Sequence, residues 1–264
     1  MKKQNDANAG LTKLAIKSVK DAFDAVNAVL GTEDAGKTLG INPKGDKTYQ
    51  IDKVAEKVYL DNLPESVTVV SEESEPKLGS DVIVFLDPVC GSILAKRGSK
   101  HFTTGIAIYS KQLEPICEAI GIFETGDIYY ADSSGSYKNG EKIHVSNKKK
   151  IDDSTIINCE SHSVADRLEI IKIDLFKKAP HVFCPGSDKL SLSMLSEGII
   201  DGYVNPAKVY PSTELIGIYL VKQAGGVVSD TKGRQIKVYP DLKHKTTLLC
   251  SCTEEMHNQL LKML

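Results

Sequence analysis

Asp81-Val82-Ile83-Val84-Phe85-Leu86-Asp87-Pro88-Val89-Cys90-Gly91-Ser92 is the stretch on which the reading of this fold turns. Its apolar, mostly β-branched or aromatic run predicts a buried strand over residues 81–86, and the run stops on an acid and an Asp-Pro turn. A shorter run over residues 67–71 stops in the same way, on Glu72-Glu73. Two strands therefore deliver carboxylates from their C-terminal ends.

Upstream, Leu11, Leu14, Ile16, Val19, Phe23, Val26 and Leu30 recur at helical spacing and Gly31 closes the run, so a helix is expected over residues 11–30. Residues 31–48, rich in Gly, Lys, Asp and Thr, read as a loop able to close over a site. A second helix is expected over 52–63, stopped by Pro64. Downstream, alternation predicts strands over 104–109, 115–123, 127–131 and 142–145. After residue 150 the pattern becomes strands (155–159, 181–183, 246–252) alternating with helices (163–178, 187–197, 213–224, 253–264), which implies sheets flanked by helices. The expected class is α/β, with an N-terminal α+β half over 1–150 and a C-terminal α/β half over 151–264.

The 264 residues suffice for a sizeable core, and 41% apolar with 26% charged residues is an ordinary globular composition. The 33 Lys and Arg nearly balance 35 Asp and Glu, so no global field draws the chain to nucleic acid or to an anionic membrane. Any chemistry on phosphate must come from a local site. No signal-peptide-like or membrane-spanning run is present, and a cytoplasmic location is expected. The six cysteines lack zinc or secreted-scaffold spacing and read as reduced; Cys250 and Cys252 fit one face of a strand. The six histidines show no pair at ligand spacing.

Four segments in order carry a family likeness: Gly45-Asp46-Lys47-Thr48-Tyr49-Gln50-Ile51-Asp52, Val69-Val70-Ser71-Glu72-Glu73, Phe85 through Ser92, and Gly217 through the Ala224-Gly225-Gly226 turn to Asp230. Gly135, Asn139-Gly140, Lys142 through Ser146, Gly186-Ser187, Gly198, Asp201 and Gly202 support it. Together they resemble the inositol monophosphatase and fructose-1,6-bisphosphatase superfamily, and the likeness covers nearly the whole chain. It implies alternating layers of helices and sheets and a magnesium-dependent (Mg2+) phosphomonoesterase acting on a small polyol or sugar phosphate. It also implies a homodimer.

By the same resemblance, Glu72, Asp87 and the Val89 carbonyl would hold a first ion. Asp52, with the Ser92 hydroxyl, would activate water, Glu72 would share in the catalysis as well as the metal, and the Gly91 and Ser92 amides would hold phosphate. Gly186, Ser187 and Asn205 would face the substrate. Magnesium suits such a task because it takes hard oxygen ligands and neutralises phosphoryl charge. Asp52 also reads as a helix cap, and Glu72-Glu73 and Asp87 also read as solvated turn residues.

Two positions depart from the pattern: Cys90 and Thr213 stand where the family carries aspartates for a second ion. A thiol is soft and a threonine hydroxyl is uncharged, so weakened activity is expected. Removing one charge-stabilising group costs about 10²–10³ in rate, and aspartate at both positions should restore it. Glu214 lies one residue along, a step of about 100 degrees on a helix. The alternative is a catalytically silent relative that binds a phosphorylated ligand or a metal for regulation; a nucleotide phosphatase of sulfur assimilation would need an adenine pocket that the sequence does not reveal.

Overall fold

The computed structural model describes residues 2–160, 179 and 181–264. Helices α1 (Lys2–Val29) and α2 (Gln50–Asn62) lie against one face of a seven-stranded sheet. Ala15, Val19, Ala22 and Val26 on α1 and Ile51, Ala55 and Tyr59 on α2 are the buried faces that hold them there, as helical periodicity dictates. The sheet comprises β3 (Thr68–Ser71), β4 (Ile83–Cys90), β5 (Thr103–Tyr109), β6 (Pro115–Ile122), β7 (Ile128–Asp132), β8 (Gly135–Lys138) and β9 (Glu141–Ile143), in that spatial order. β3 and β4 run parallel and every later neighbour is antiparallel.

β4 explains its own apolar run. Val84 and Leu86 join the core under α1 and α2, whereas Ile83 and Phe85 join a second core on the opposite face. A strand covered on both sides has no polar alternation to show. Since side chains alternate, Asp87 follows Ile83 and Phe85 onto the second face, where it is buried.

That face is covered by α4 (Asp188–Ser196) and α5 (Ile218–Gln223), and α3 (Ser92–Ala95) is a single turn after β4. Tyr219 and Leu220 pack on the seven-stranded sheet, while Leu192, Leu195 and Val221 pack on a five-stranded one. The second sheet has the order β11 (His181–Phe183), β10 (Ile156–Cys159), β12 (Gly202–Val209), β14 (Thr246–Ser251), β13 (Val227–Ser229), and α6 (Glu254–Leu261) packs on it through Met256 and Leu260. The layers of helix and sheet alternate as expected.

Several elements differ from the sequence reading. Residues 31–48 are not a bare loop: a short 3-10 turn leads into an antiparallel hairpin of β1 (Thr38–Ile41) and β2 (Lys47–Tyr49). β1 is exposed along its whole length, so it leaves no alternating pattern. The helix expected over 213–224 begins only at Ile218; residues 211–217 are turns, and Gly217 adopts a positive φ of 121°. The helix expected over 163–178 lies outside the described residues. No helix among those described is long and apolar enough to cross a membrane.

Candidate active site

The parallel pairing of β3 and β4 sets their C-terminal ends side by side, and the Glu72 amide donates to the Leu86 carbonyl at 3.1 Å. Glu72 and Asp87 thus share one wall of a cleft of about 520 Å3, the size of a small-molecule site. Val89, Cys90, Gly91 and Ser92 continue that wall, and Gly186, Asp188 and Glu214 contribute from the C-terminal half. Gly91 turns the chain out of β4 at φ 104°, a region that favours glycine, and α3 starts at Ser92.

Two lysines that the sequence did not single out dominate the electrostatics. Lys44, at the tip of the β1–β2 hairpin, places its Nζ 3.0 Å from Glu72 Oε1 and 2.8 Å from Glu214 Oε1, with only 4% of its side chain exposed. The hairpin tip is fixed by Asn42, whose Oδ1 accepts the Lys44 and Asp46 amides at 3.1 and 2.9 Å. Lys189, in the first turn of α4, is fully buried and its Nζ donates to Asp87 Oδ2. It reaches there across Gly105, the residue paired with Asp87 on β5; a Cβ on Gly105 would stand 3.0 Å from Lys189 Cδ and Cε.

Burial opposes charge on both ammonium groups, but Glu72 and Glu214 together outweigh it at Lys44, and Asp87 together with its neighbours does so at Lys189, so both lysines titrate above the usual range. Glu72, Asp87 and Glu214 face two ammonium groups, which leaves one carboxylate in excess. Burial, with Asp87 alongside, accordingly raises Glu72 well above an ordinary carboxyl group.

The remaining expected residues are spread more widely. Asp52 is fully buried in the first turn of α2 and is not among the lining residues; its Oδ2 accepts the Tyr49 amide at 2.6 Å, a capping contact, while Oδ1 has no partner among the described residues. Burial, reinforced by Glu73, pushes Asp52 up to about 8. Ser92 lines the cleft, as does Tyr49, whose amide Asp52 accepts. Thr213 is buried and its hydroxyl has no partner among the described residues, whereas Glu214 lines the cleft. The 100-degree helical step does not apply there because residues 211–217 are turns.

Cys90 is held as a neutral thiol: burial pushes it up to about 12, and it accepts a hydrogen bond from Ser187 Oγ at 3.2 Å. Ser187 caps α4 and Asn205 Nδ2 donates to Asp188 Oδ1 at 2.7 Å, so these two stand behind the lining rather than in it. Asp201 ties Ser146 to β10 through bonds of 2.7 and 3.1 Å. The signal for Lys189 was present: it shares a helix face with Leu192 and Ser196 at i, i+3 and i+7, all buried. Lys44 carried none, since a lysine beside Pro43 and Gly45 reads as a surface turn.

A model of the inositol monophosphatase family matches residues 7–264. The chain belongs to that family. It is 30% identical over 255 residues to the fructose-1,6-bisphosphatase/inositol-1-monophosphatase of Thermococcus kodakarensis, covering 95% of this chain and 96% of that one. The protein of the same name from Archaeoglobus fulgidus is 31% identical over 238 residues, 86% and 88% of the two chains. Among solved structures, the extragenic suppressor protein suhB of Bartonella henselae superposes with a TM-score of 0.84 at 21% identity, over 96% of this chain and 98% of that one, a likeness of fold.

The donor set of this family member does not fit a divalent ion. One oxygen each of Glu72 and Glu214 is engaged by Lys44 and one of Asp87 by Lys189, and the second oxygen of Glu214 accepts the Tyr210 amide. No group of three or more His, Cys, Asp or Glu side chains among the described residues is arranged to hold a metal. Magnesium dehydrates reluctantly and demands near-octahedral oxygens at about 2.1 Å. Here it would have to share its carboxylates with buried ammonium groups.

Proposed function

We propose that this family member binds a small phosphorylated polyol or sugar, of the inositol monophosphate or fructose 1,6-bisphosphate type, and that magnesium-dependent hydrolysis of it is weak or absent. The ligand's phosphate sits at the end of β4, against the amides of Gly91 and Ser92 and the Ser92 hydroxyl, while the Gly186 side of the cleft faces the polyol. The observation that carries this reading is the pairing of the Glu72, Asp87 and Glu214 carboxylates with Lys44 and Lys189. We assign the chain to the cytoplasm, with its six cysteines free, and on the resemblance to a homodimer.

A second reading keeps a magnesium-dependent phosphomonoesterase. Glu72, Asp87 and the Val89 carbonyl do share one wall, and Glu214 adds a carboxylate near them. Under that reading an ion displaces the lysines when it binds.

Titration calorimetry in a chelator, with inositol monophosphate and fructose 1,6-bisphosphate as separate ligands, tests the binding claim. At least one should bind, and Ser92→Ala should weaken it about 3–10-fold, the worth of one hydrogen bond. Binding of a phosphoadenosine nucleotide with no response to either sugar phosphate would move the substrate class elsewhere.

A further inference from the structure

We propose that the Lys44 ammonium group, in the cleft, and the Lys189 ammonium group, buried behind Asp87, are the resident cations of the site, occupying charge-compensating places on Glu72, Glu214 and Asp87 so that the cleft excludes divalent metal. This deepens the reading of the same site given above and rests on the site's geometry rather than on the ligand's identity.

Two features build these lysines into the site, and a third engages Cys90 beside them. Lys44 bridges carboxylates from the two halves of the chain, Glu72 after β3 and Glu214 in the turn before α5. Glu214 is itself oriented by the Tyr210 amide, which donates to its other oxygen. Lys189 crosses the sheet at the one residue of β5 opposite Asp87, and that residue is glycine, leaving the space its Cδ and Cε need. Cys90, beside Asp87 on β4, is occupied by Ser187, which also contacts Thr103 at 3.0 Å. Glu72, Glu214 and Asp87 thus each give one oxygen to a covalently tethered cation, and a tethered cation is not diluted or chelated away.

Repulsion and desolvation favour the lysines over an ion at the oxygens they already hold. A divalent ion added beside two ammonium groups meets like charge at close range, and expelling either lysine strips a buried carboxylate of its partner during the exchange. Replacing one lysine by an uncharged residue of similar length reverses the balance, because an uncompensated buried carboxylate then seeks a cation.

Titration calorimetry with magnesium chloride alone tests this on the full chain, with no organic ligand present, so its outcome is separate from that of the sugar-phosphate titrations. The wild type should show no saturable magnesium binding in the low-millimolar range, and Lys44→Met should gain it, about 10²-fold tighter than the wild type. Should Lys44→Met not fold, Lys44→Gln, which keeps a donor for Glu214 and removes the charge, makes the same comparison. Saturable low-millimolar binding by the wild type, or a lysine variant that binds magnesium no more tightly than the wild type, overturns the proposal.

Discussion

Lys189 can lie flat across β5 only because Gly105 has no side chain, and this makes one residue answerable for another. Gly105→Ala should destabilise the protein by about 1–3 kcal/mol in urea denaturation, the usual penalty for overpacking a filled interior. In a Lys189→Ala background the added methyl should cost less, leaving only its contact with Ile216, 3.1 Å from the same Cβ position. Equal costs in both backgrounds would show that the lysine does not occupy the place described. At this scale the sequence disclosed the acids and hid the bases. Glu72 and Asp87 were legible because a strand that ends on an acid places it at a sheet's end. Lys44 was not, because a lysine's long stem lets it act far from where its backbone lies and its usual fate is solvent, and Lys189 showed only in its place on the buried face of a helix.

Among the elements, α5 depends on a carboxylate from the neighbouring sheet. Glu118, buried on β6, accepts the Gly217 amide at 3.1 Å and the Leu220 amide, both at the start of α5. Burial nevertheless pushes Glu118 up to about 7, above the 4.5 of a free glutamate. The folded state therefore holds a proton that the unfolded chain releases. The stability this contributes is fully present below about pH 4.5 and is lost as pH rises through about 7, following the linkage of proton uptake to folding. Urea midpoints measured across that range should fall with pH, and Glu118→Gln should flatten the slope; an unchanged slope would mean that another group titrates. Elements were legible in proportion to their burial. β4, covered on both faces, was plain, whereas the exposed β1 carried no pattern and β12 was masked by Pro206 near a register irregularity. The hairpin made of β1 and β2 is the part of the fold that sequence reasoning missed and the site uses, since it carries Lys44.

For the whole molecule, the order of helices and sheets was readable from sequence because it follows from which faces must be buried, and the family match over residues 7–264 agrees with it. What the cleft does was less readable, because it depends on long-range meetings: the hairpin tip with the turn before α5, and α4 with β4. The central claim is that a family cleft whose carboxylates are engaged by its own lysines binds phosphorylated polyols or sugars but scarcely hydrolyses them. Its most direct test is release of inorganic phosphate from inositol monophosphate and fructose 1,6-bisphosphate, with magnesium and with a chelator. The account predicts turnover at least about 10²-fold below 1 per second in both conditions. Magnesium-dependent turnover at about 1 per second or faster on either substrate would contradict it, and would mean that an ion displaces Lys44 and Lys189 from Glu72, Glu214 and Asp87.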